Sequence, residues 1–262
     1  MQTNVAVVTG GARGIGRAIA ELLVRRGYAV VLTDVDGEGA RRTASEIGAA
    51  EGLAQDVRDE ASHTAVAKAA AAHGVLTVWV NNAGVGYDGT LAELESDQVR
   101  ALVEVNLLGV MWGMRAAMHA FGEGEGDIVN IASLSALGPV PALAVYAATK
   151  AAVLSVTTSA AIEAADGVRV HALLPDGVDT PMVDAMREDR AAKALVHSGG
   201  GLLTANEVAA AAVGLIGSRR VVRTIPAWRS PVVRIGSFVP SHAGAPFKLF
   251  EKVGRRVMAR RS

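Results

Sequence analysis

Short apolar runs rich in β-branched residues alternate along this chain with longer segments of helical period. The runs are nearly continuously apolar rather than alternating, which is typical of parallel strands covered on both faces. They span residues 5–9, 29–33, 75–80, 127–132 and 168–174. Between them, apolar residues recur three and four apart, and the last such helix begins at Thr204 and Glu207 with the spacing of a capping box. Strand alternating with helix predicts a parallel α/β sheet with right-handed crossovers.

The composition of the chain limits the classes of protein and the kinds of site that are possible. The 262 residues suit one domain, and half of them are apolar, which excludes a disordered chain. The chain has no cysteine, so disulfide scaffolds, thiolate metal sites and cysteine nucleophiles are excluded. Six scattered histidines show no ligand spacing, and we expect no metal site. No leader and no uninterrupted apolar stretch of membrane-spanning length is visible, so we expect a soluble, cytoplasmic protein.

Charge divides the chain into two parts. The net charge is zero, which argues against a uniformly basic nucleic-acid-binding surface. Residues 219–262 nevertheless hold 11 basic side chains and one acidic side chain, which leaves residues 1–218 with a net charge of −10. We therefore assign residues 1–218 to the main domain and residues 219–262 to a basic C-terminal extension.

The first predicted strand runs into a glycine-rich turn, Thr9–Gly16, that leads directly into a helix. Glycine allows positive φ and leaves no Cβ to block a ligand, and a helix N-terminus offers free N–H groups to phosphate. The turn has the pattern G-x-x-x-G-x-G, and its dinucleotide-contacting residues would be Gly10, Arg13, Gly14, Ile15 and Gly16. A purely structural turn is the alternative.

Asp34 closes the second predicted strand, 18 residues after Gly16. A carboxylate at this position can accept hydrogen bonds from the adenosine ribose hydroxyls and would repel a 2′-phosphate, which favours NAD over NADP. A solvated aspartate at a strand end is the other reading. Arg13, Arg41 and Arg42 are candidate partners for a 2′-phosphate, so NADP remains the less favoured alternative.

Tyr146 and Lys150 are spaced i and i+4, which places them side by side on one helix face. A neighbouring ammonium lowers the pKa of a tyrosine, which can then exchange a proton with a substrate oxygen. An ordinary amphipathic pair would show the same spacing. Three further features favour chemistry: Ser133 just past a strand end, Asn106 inside an apolar helical stripe, and the loop Asn82-Ala83-Gly84 after a strand.

Together these motifs resemble the short-chain dehydrogenase/reductase family. They are Thr9–Gly16, Asn81–Gly84, Asn106, Ser133, Tyr146-x-x-x-Lys150 and Pro175–Thr180, in the order and at the spacing of the family over residues 1–218. The resemblance implies a single three-layer domain with a doubly wound parallel sheet of Rossmann type. It also implies an NAD(P)-dependent oxidoreductase that interconverts a secondary alcohol and a ketone, with NAD preferred.

The resemblance also implies the role of each residue. Tyr146 would be the general acid/base, Lys150 would hold the nicotinamide ribose and depress the pKa of Tyr146, Ser133 would orient the substrate oxygen, and Asn106 would anchor a proton-relay water. Cofactor contacts would come from Asp56 and Val57 at the adenine, from Asn82, Ala83 and Gly84 at the adenosine side, and from Pro175, Val178 and Thr180 at the nicotinamide.

Two features depart from the family pattern. Asp176 stands where a glycine is usual, and either its backbone tolerates the glycine conformation or its carboxylate faces the nicotinamide or the substrate. The usual glycine-rich C-terminal strand ending is absent, which leaves a dimer as plausible as the family's common tetramer. A homo-oligomer is expected in either case.

The segment near residues 182–203 would be the substrate lid. Met182, Val183 and Met186 predict an apolar pocket for a lipid, steroid or terpenoid-like substrate, although these side chains could also simply pack the core. In the basic extension, apolar residues at helical spacing predict an amphipathic helix. That helix could dock on protein, contact a membrane or an acidic ligand, or remain a solvated tail.

Two other functions fit parts of this pattern. A catalytically silent dinucleotide-binding sensor or scaffold would have the glycine turn, but would typically lack one of Asn106, Ser133, Tyr146 and Lys150, all of which are present. An epimerase or dehydratase with bound NAD would usually carry a longer C-terminal substrate domain.

Overall fold

Parallel strands form the central layer of the protein, whose computed structural model describes residues 2–187, 191–238 and 244–259. The strands are β1 Asn4–Thr9, β2 Ala29–Asp34, β3 Glu51–Ala54, β4 Val75–Asn81, β5 Gly126–Ile131, β6 Val168–Pro175 and β7 Val222–Ile225. In the described part of the chain these seven strands make one sheet, in the order β3-β2-β1-β4-β5-β6-β7. Residues 188–190 of the predicted lid, and Arg260 and Arg261 of the basic extension, lie outside the described residues.

Helices cover both faces of the sheet. They are α1 Gly14–Arg25, α2 Gly37–Ile47, α3 Glu60–Ala71, α4 Ser96–Val103, α5 Gly109–Phe121, α6 Ala144–Glu163, α7 Pro181–Asp184, α8 Ala191–Val196, α9 Ala205–Val213, α10 Arg229–Phe238 and α11 Gly244–Met258. One apolar cluster joins the sheet to α1, α2 and α9, and a second joins its other face to α3, α5 and α6. The predicted three-layer, doubly wound parallel fold is thus confirmed.

Strand β1 shows why the buried strands appear in the sequence as largely apolar runs. Its Ala6 and Val8 belong to the cluster on one face, whereas Val5 and Val7 belong to the cluster on the other. All four side chains are fully buried because helices cover both faces of a parallel sheet.

The predicted capping box at the start of α9 is also present, since the Thr204 hydroxyl accepts from the Glu207 N–H and the Glu207 carboxylate accepts from the Thr204 N–H.

Strands β3 and β7 are absent from the apolar runs of the sequence. Each has four residues, and none of their side chains is fully buried. They lie at the two edges of the sheet, where one neighbour is missing and a continuous apolar run is not required. Because β7 pairs with β6, the sheet continues into the segment assigned to the basic extension.

Two helical stretches, residues 96–121 and 144–163, are long and apolar enough to span a membrane when judged by length and composition alone. In the structure both contribute buried side chains to the apolar cluster on one face of the sheet. That is the position of a core helix in a globular domain, and such helices pass the same length and composition test.

The amphipathic helix predicted in the basic extension is α11, and it packs on protein. It contacts α8 and the short 3₁₀ helix His197–Gly199. At Gly254 the approach is so close that a Cβ would overlap the carbonyl oxygen of Ala194. The apolar side of α11 therefore covers the second half of the predicted lid, while Lys252, Arg255 and Arg256 stay exposed.

A charge network lies at the amino end of the sheet, opposite the strand ends that carry the site motifs. Asp127, in β5, accepts hydrogen bonds from Arg169 and His171, in β6, and from the N–H of Gly217, all at 2.9 Å. Burial by itself would raise the pKa of Asp127, but these bonds outweigh burial and lower the pKa to about 2. The ionised carboxylate is thus stabilised in the folded state.

We expect Asp127→Asn to lower the free energy of unfolding at pH 7 by about 2 kcal/mol, because the ionised carboxylate that Arg169, His171 and the N–H of Gly217 stabilise is removed. In the wild type, the pKa below 3.8 means that this stabilisation is complete above about pH 4 and is lost as the pH falls toward 2. Urea unfolding between pH 3 and 7 measures both effects. Asp166→Asn, at an exposed aspartate, is the control, and equal stability of the two variants would contradict the prediction.

Candidate active site

The glycine turn lies between β1 and α1 at the carboxyl end of the sheet. Gly10 and Gly14 have φ of 65° and 57°, a region that other residues rarely adopt. A Cβ on Gly10 would lie 2.7 Å from Cα of Ala83, and one on Gly16 would overlap the carbonyl oxygen of Gly10. A Cβ on Gly14 would meet no protein atom within 4 Å. Gly10 and Gly16 thus permit close packing, whereas Gly14 faces open space.

The N-terminus of α1 is available to an anion. Its N-cap residue, Arg13, makes no side-chain capping bond, and the first turn contains no acidic residue. Exposed Arg13 and half-buried Ile15 flank the opening. The free N–H groups and the partial positive charge of a helix start are what a phosphate group requires.

Thr9 connects the glycine turn to the loop after β4. Its hydroxyl accepts the backbone N–H groups of Asn82 and Ala83, both at 3.1 Å. The Asn82 amide in turn donates to the carbonyl oxygens of Thr9 and Gly10, at 3.0 and 2.9 Å. These four bonds hold the two loops at a constant separation. Thr9 is 1% exposed, and the sequence reasoning missed its role although it stands inside the recognised motif.

Asp34 lies beside the glycine turn at the end of β2. Its carboxylate accepts the N–H of Ala12 at 3.1 Å and the N–H of Asp36 at 3.2 Å. Nearby, the carboxylate of Asp56 pairs with Arg58 at 2.6 Å, and Val57 is buried. The residues expected at the ribose and at the adenine therefore lie after the adjacent strands β2 and β3.

Asn106 owes its position to a π-helical segment, Glu104–Leu108, between α4 and α5. Such an inserted turn redirects a side chain, and here it buries Asn106 completely. The Asn106 amide both accepts from the N–H of Val85 and donates to its carbonyl oxygen, at 2.8 and 2.9 Å. A Cβ on Gly84 would lie 3.2 Å from Oδ1 of Asn106 and 3.8 Å from Nζ of Lys150, so the three residues are neighbours.

Tyr146 and Lys150 project from α6 as their spacing predicts. Nζ of Lys150 lies 5.7 Å from the centre of the Tyr146 ring and donates to the carbonyl oxygen of Ile131, in β5, at 3.0 Å. Ser133 lies two residues past the end of β5, and its hydroxyl interacts with that of Tyr146. The structure therefore brings together a tyrosine, a serine and a lysine from two elements.

Burial controls the titration of this group. It raises the pKa of Tyr146 to about 12, although the Ser133 hydrogen bond acts in the opposite direction. It lowers the pKa of Lys150 to about 8, because the ammonium loses its hydration. Around neutral pH the tyrosine thus keeps its proton and the lysine is mostly charged, which is the state of a group ready to donate a proton to an oxygen.

The segment Pro175–Thr180 leaves the end of β6 beside this group. Val178 is buried and bridges to Leu203, and Thr180 precedes the first turn of α7. The backbone of Asp176 does not have the glycine-like conformation that was one of the two expectations. The only non-glycine residue with positive φ in the described part of the chain is Ala142, so Asp176 has no glycine-like backbone. Its carboxylate pairs with Arg229 at 2.6 Å.

The site residues predicted from sequence thus gather along one end of the sheet, after β1, β2, β3, β4, β5 and β6 and on the helices that face them. The sequence reasoning missed Arg229. It lies 53 residues from Asp176, and no periodicity or motif links the two positions. The only signal was the aspartate in place of glycine, which requires a cationic partner once it is buried.

Comparisons with known proteins agree with this geometry. The family model described as short chain dehydrogenase matches residues 4–191. A 3-alpha-(or 20-beta)-hydroxysteroid dehydrogenase from Mycobacterium tuberculosis is 40% identical over 190 residues, which cover 71% of this chain and 73% of the relative.

Solved structures are similar in both sequence and fold. A short chain dehydrogenase/reductase from Burkholderia phymatum in complex with NAD has a TM-score of 0.82 and 29% identity, over 91% of this chain and 94% of its own. A single-residue variant of an actinorhodin polyketide ketoreductase with NADPH has a TM-score of 0.79 and 31% identity, over 87% of this chain and 97% of its own. A nicotinamide dinucleotide is therefore the cofactor class, since the uncapped helix start and the open space at Gly14 fit its pyrophosphate.

We expect Thr9→Val to weaken NADH binding about tenfold and to lower stability by about 2 kcal/mol, because two N–H groups lose their shared acceptor and the two loops separate. Thr9→Ser, which keeps the hydroxyl, is the matched control. Titration with NADH and urea unfolding measure the two effects. Wild-type affinity in Thr9→Val would show that the hydroxyl does not set the loop position.

Proposed function

The chain belongs to the short-chain dehydrogenase/reductase family, and from that premise we propose that it is an NAD-preferring oxidoreductase that interconverts a secondary alcohol and a ketone. The observation that carries the proposal is the grouping of Tyr146, Ser133 and Lys150 beside Gly84. This grouping puts a proton donor and acceptor at the end of the sheet where the glycine turn would hold the cofactor.

Tyr146 exchanges the proton of the substrate oxygen in this proposal. In ketone reduction its hydroxyl donates a proton to the carbonyl oxygen, and in alcohol oxidation the phenolate accepts the proton of the substrate hydroxyl. Ser133 donates to the same substrate oxygen and orients it. When bound, the dinucleotide supplies or accepts the hydride at the substrate carbon.

The buried Tyr146 hydroxyl, with a pKa of about 12, needs a nearby positive charge before it can act as a base. Lys150 does not lower that pKa, contrary to expectation, because burial dominates although the ammonium lies 5.7 Å from the ring centre. The further positive charge would come from the oxidised nicotinamide when the cofactor is bound. Asn106 supports the same region through Val85, and we assign it the role of anchoring a water between Lys150 and solvent.

The preference for NAD rests on the charges around Asp34. Its carboxylate lies next to Ala12 of the glycine turn, at the position expected for the adenosine ribose. Arg42, a candidate partner for a 2′-phosphate, lies 4.0 Å from Asp36 and is balanced by it. A 2′-phosphate beside Asp34 would therefore meet the negative charge of that carboxylate, with Arg42 already paired to Asp36.

An apolar substrate is favoured by the surroundings of Ser133 and by the lid. Leu134 and Leu137, just after Ser133, are buried. A Cβ on Gly86 would lie 2.8 Å from Sδ of Met182, so the start of the lid rests on the loop after β4. The hydroxysteroid dehydrogenase among the relatives supports a steroid-like or similarly apolar alcohol.

We further propose a homo-oligomer, a dimer or a tetramer, that uses the outer face of α6. By length and composition this helix is apolar enough to span a membrane, yet the side chain of its Ile162 is 87% exposed. A second copy of the chain would cover such a surface.

We expect Tyr146→Phe to lower kcat at least about a thousandfold while the affinity for NADH changes less than about twofold, because only the exchangeable proton is removed. The assay couples a 3α-hydroxysteroid or its ketone to the absorbance of NADH, and quenching of tryptophan fluorescence reports binding. Tyr28→Phe, a tyrosine of the core away from the site, is the control. Activity that survives in Tyr146→Phe would remove the proposed acid/base.

We expect the wild type to bind NADH at least about tenfold more tightly than NADPH, and Asp34→Asn to lose most of that difference because the repulsion of the 2′-phosphate is gone. Glu38→Gln removes an exposed charge of the same sign from the first turn of α2 and should leave the ratio unchanged. Fluorescence titrations with both cofactors give the ratios required. Tighter NADPH binding by the wild type would overturn the NAD preference.

A further inference from the structure

Arg229, the first residue of α10, is one of the few buried cations of the described chain, with a side chain only 5% exposed. Its guanidinium lies over the rings of Trp228 and Phe250, at 5.4 and 5.6 Å from their centres. Burying a guanidinium is unfavourable unless its N–H groups are matched by acceptors. The acceptors it uses therefore indicate what the residue is for.

The first acceptor is Asp176, which directly follows β6 and precedes the lid. Nε of Arg229 donates to Oδ2 of Asp176 at 2.6 Å. The backbone N–H of Asp176 donates to the carbonyl oxygen of Ile225 in β7 at 2.9 Å, so the carboxylate projects from a backbone that is itself held by the sheet. Burial raises the pKa of Asp176, and the guanidinium opposes that rise. Each charge depends on the other for its stability.

The second acceptor is Ser198, near the end of the lid. Nη2 of Arg229 donates to the Ser198 hydroxyl at 2.9 Å, and that hydroxyl donates onward to the carbonyl oxygen of Leu195, in α8, at 2.6 Å. A Cβ on Gly199 would lie 2.6 Å from Oδ2 of Asp176, so the 3₁₀ helix is pressed directly against the ion pair. The guanidinium thus joins the segment that follows β6 to the last part of the lid.

The base of the lid is closed independently by backbone bonds. The N–H of Asp179 donates to the carbonyl oxygen of Leu203, and the N–H of Leu203 donates to that of Gly177, both at 2.8 Å. The lid therefore returns to the segment that follows β6, where Leu203 bridges to Val178, and the Arg229 bridge ties Ser198 to the same segment. Phe250, on α11, covers the bridge from outside.

We propose that Asp176, Ser198, Arg229 and Phe250, which we call the Arg229 cluster, form a clasp that holds the second half of the lid, residues 191–203, against the segment that follows β6. In this proposal Asp176 and Arg229 are positioning residues for substrate affinity, which rests on the function proposed above. A clasped lid has fewer conformations to lose when substrate binds, so the clasp improves affinity without touching the substrate.

The test compares Arg229→Met with Arg229→Met/Asp176→Gly, which removes both charges and restores the glycine usual in the family. Arg169→Met is the matched control, because it takes an arginine from a buried carboxylate at the opposite end of β6. Amide hydrogen exchange of residues 191–199, measured without substrate, reports lid opening. KM and kcat for a 3α-hydroxysteroid with NAD report the effect on affinity.

For Arg229→Met we expect at least about tenfold faster exchange over residues 191–199 and a KM raised about tenfold, with kcat changed less than about threefold. The double variant should recover thermal stability, since no unpaired buried charge remains, but it should keep the fast exchange and the high KM. Arg169→Met should lose stability and leave both lid readouts unchanged.

Recovery of slow exchange and of wild-type KM in the double variant would overturn the clasp, because the pair would then serve stability alone. If Arg229→Met does not fold, the double variant carries the test by itself, with the same two outcomes. If the wild type turns over no alcohol, the proposed function fails, whereas hydrogen exchange still decides whether the clasp exists.

Discussion

The position of β1 in the sheet is the constraint on which the site depends. It pairs in parallel with β2 on one side and with β4 on the other, so the chain winds outward in opposite directions from this strand. The loops that follow β1 and β4 consequently diverge over opposite faces and leave a crevice between them at the carboxyl end of the sheet. The glycine turn and the Asn82–Gly84 loop line that crevice, and Thr9 sets the distance between them.

The chemistry of the site depends in turn on buried polar groups whose bonds are satisfied. Asn106 is fully buried, and its amide forms hydrogen bonds with both backbone groups of Val85. Lys150 is buried against a carbonyl of β5. In such surroundings burial shifts pKa values strongly, upward for Tyr146 and downward for Lys150, because it disfavours the charged form of each group. Rigid placement and perturbed acidity therefore have the same cause, which is the exclusion of water by the two helical layers.

Sequence reasoning predicted the elements whose pattern is local. The five buried strands could be identified because each is largely apolar, and the start of α9 because its capping box lies within four residues. The edge strands β3 and β7 were missed because half-exposed strands need no apolar run. The docking of α11 on α8 was only one of three open readings, since an amphipathic pattern specifies an apolar face but not its partner.

The sequence by itself determined the glycine turn, the carboxylate after β2 and the tyrosine–lysine pair, because each is a matter of residue type at short spacing. Only the tertiary structure decided which group pairs with the Asp176 carboxylate, because its partner Arg229 comes from a helix beyond the last strand. It also decided the charge state of Lys150, which follows from burial and not from neighbours in the chain. The physical reason is the same for both: desolvation depends on what the folded chain packs around a group, and local sequence patterns carry no record of that packing.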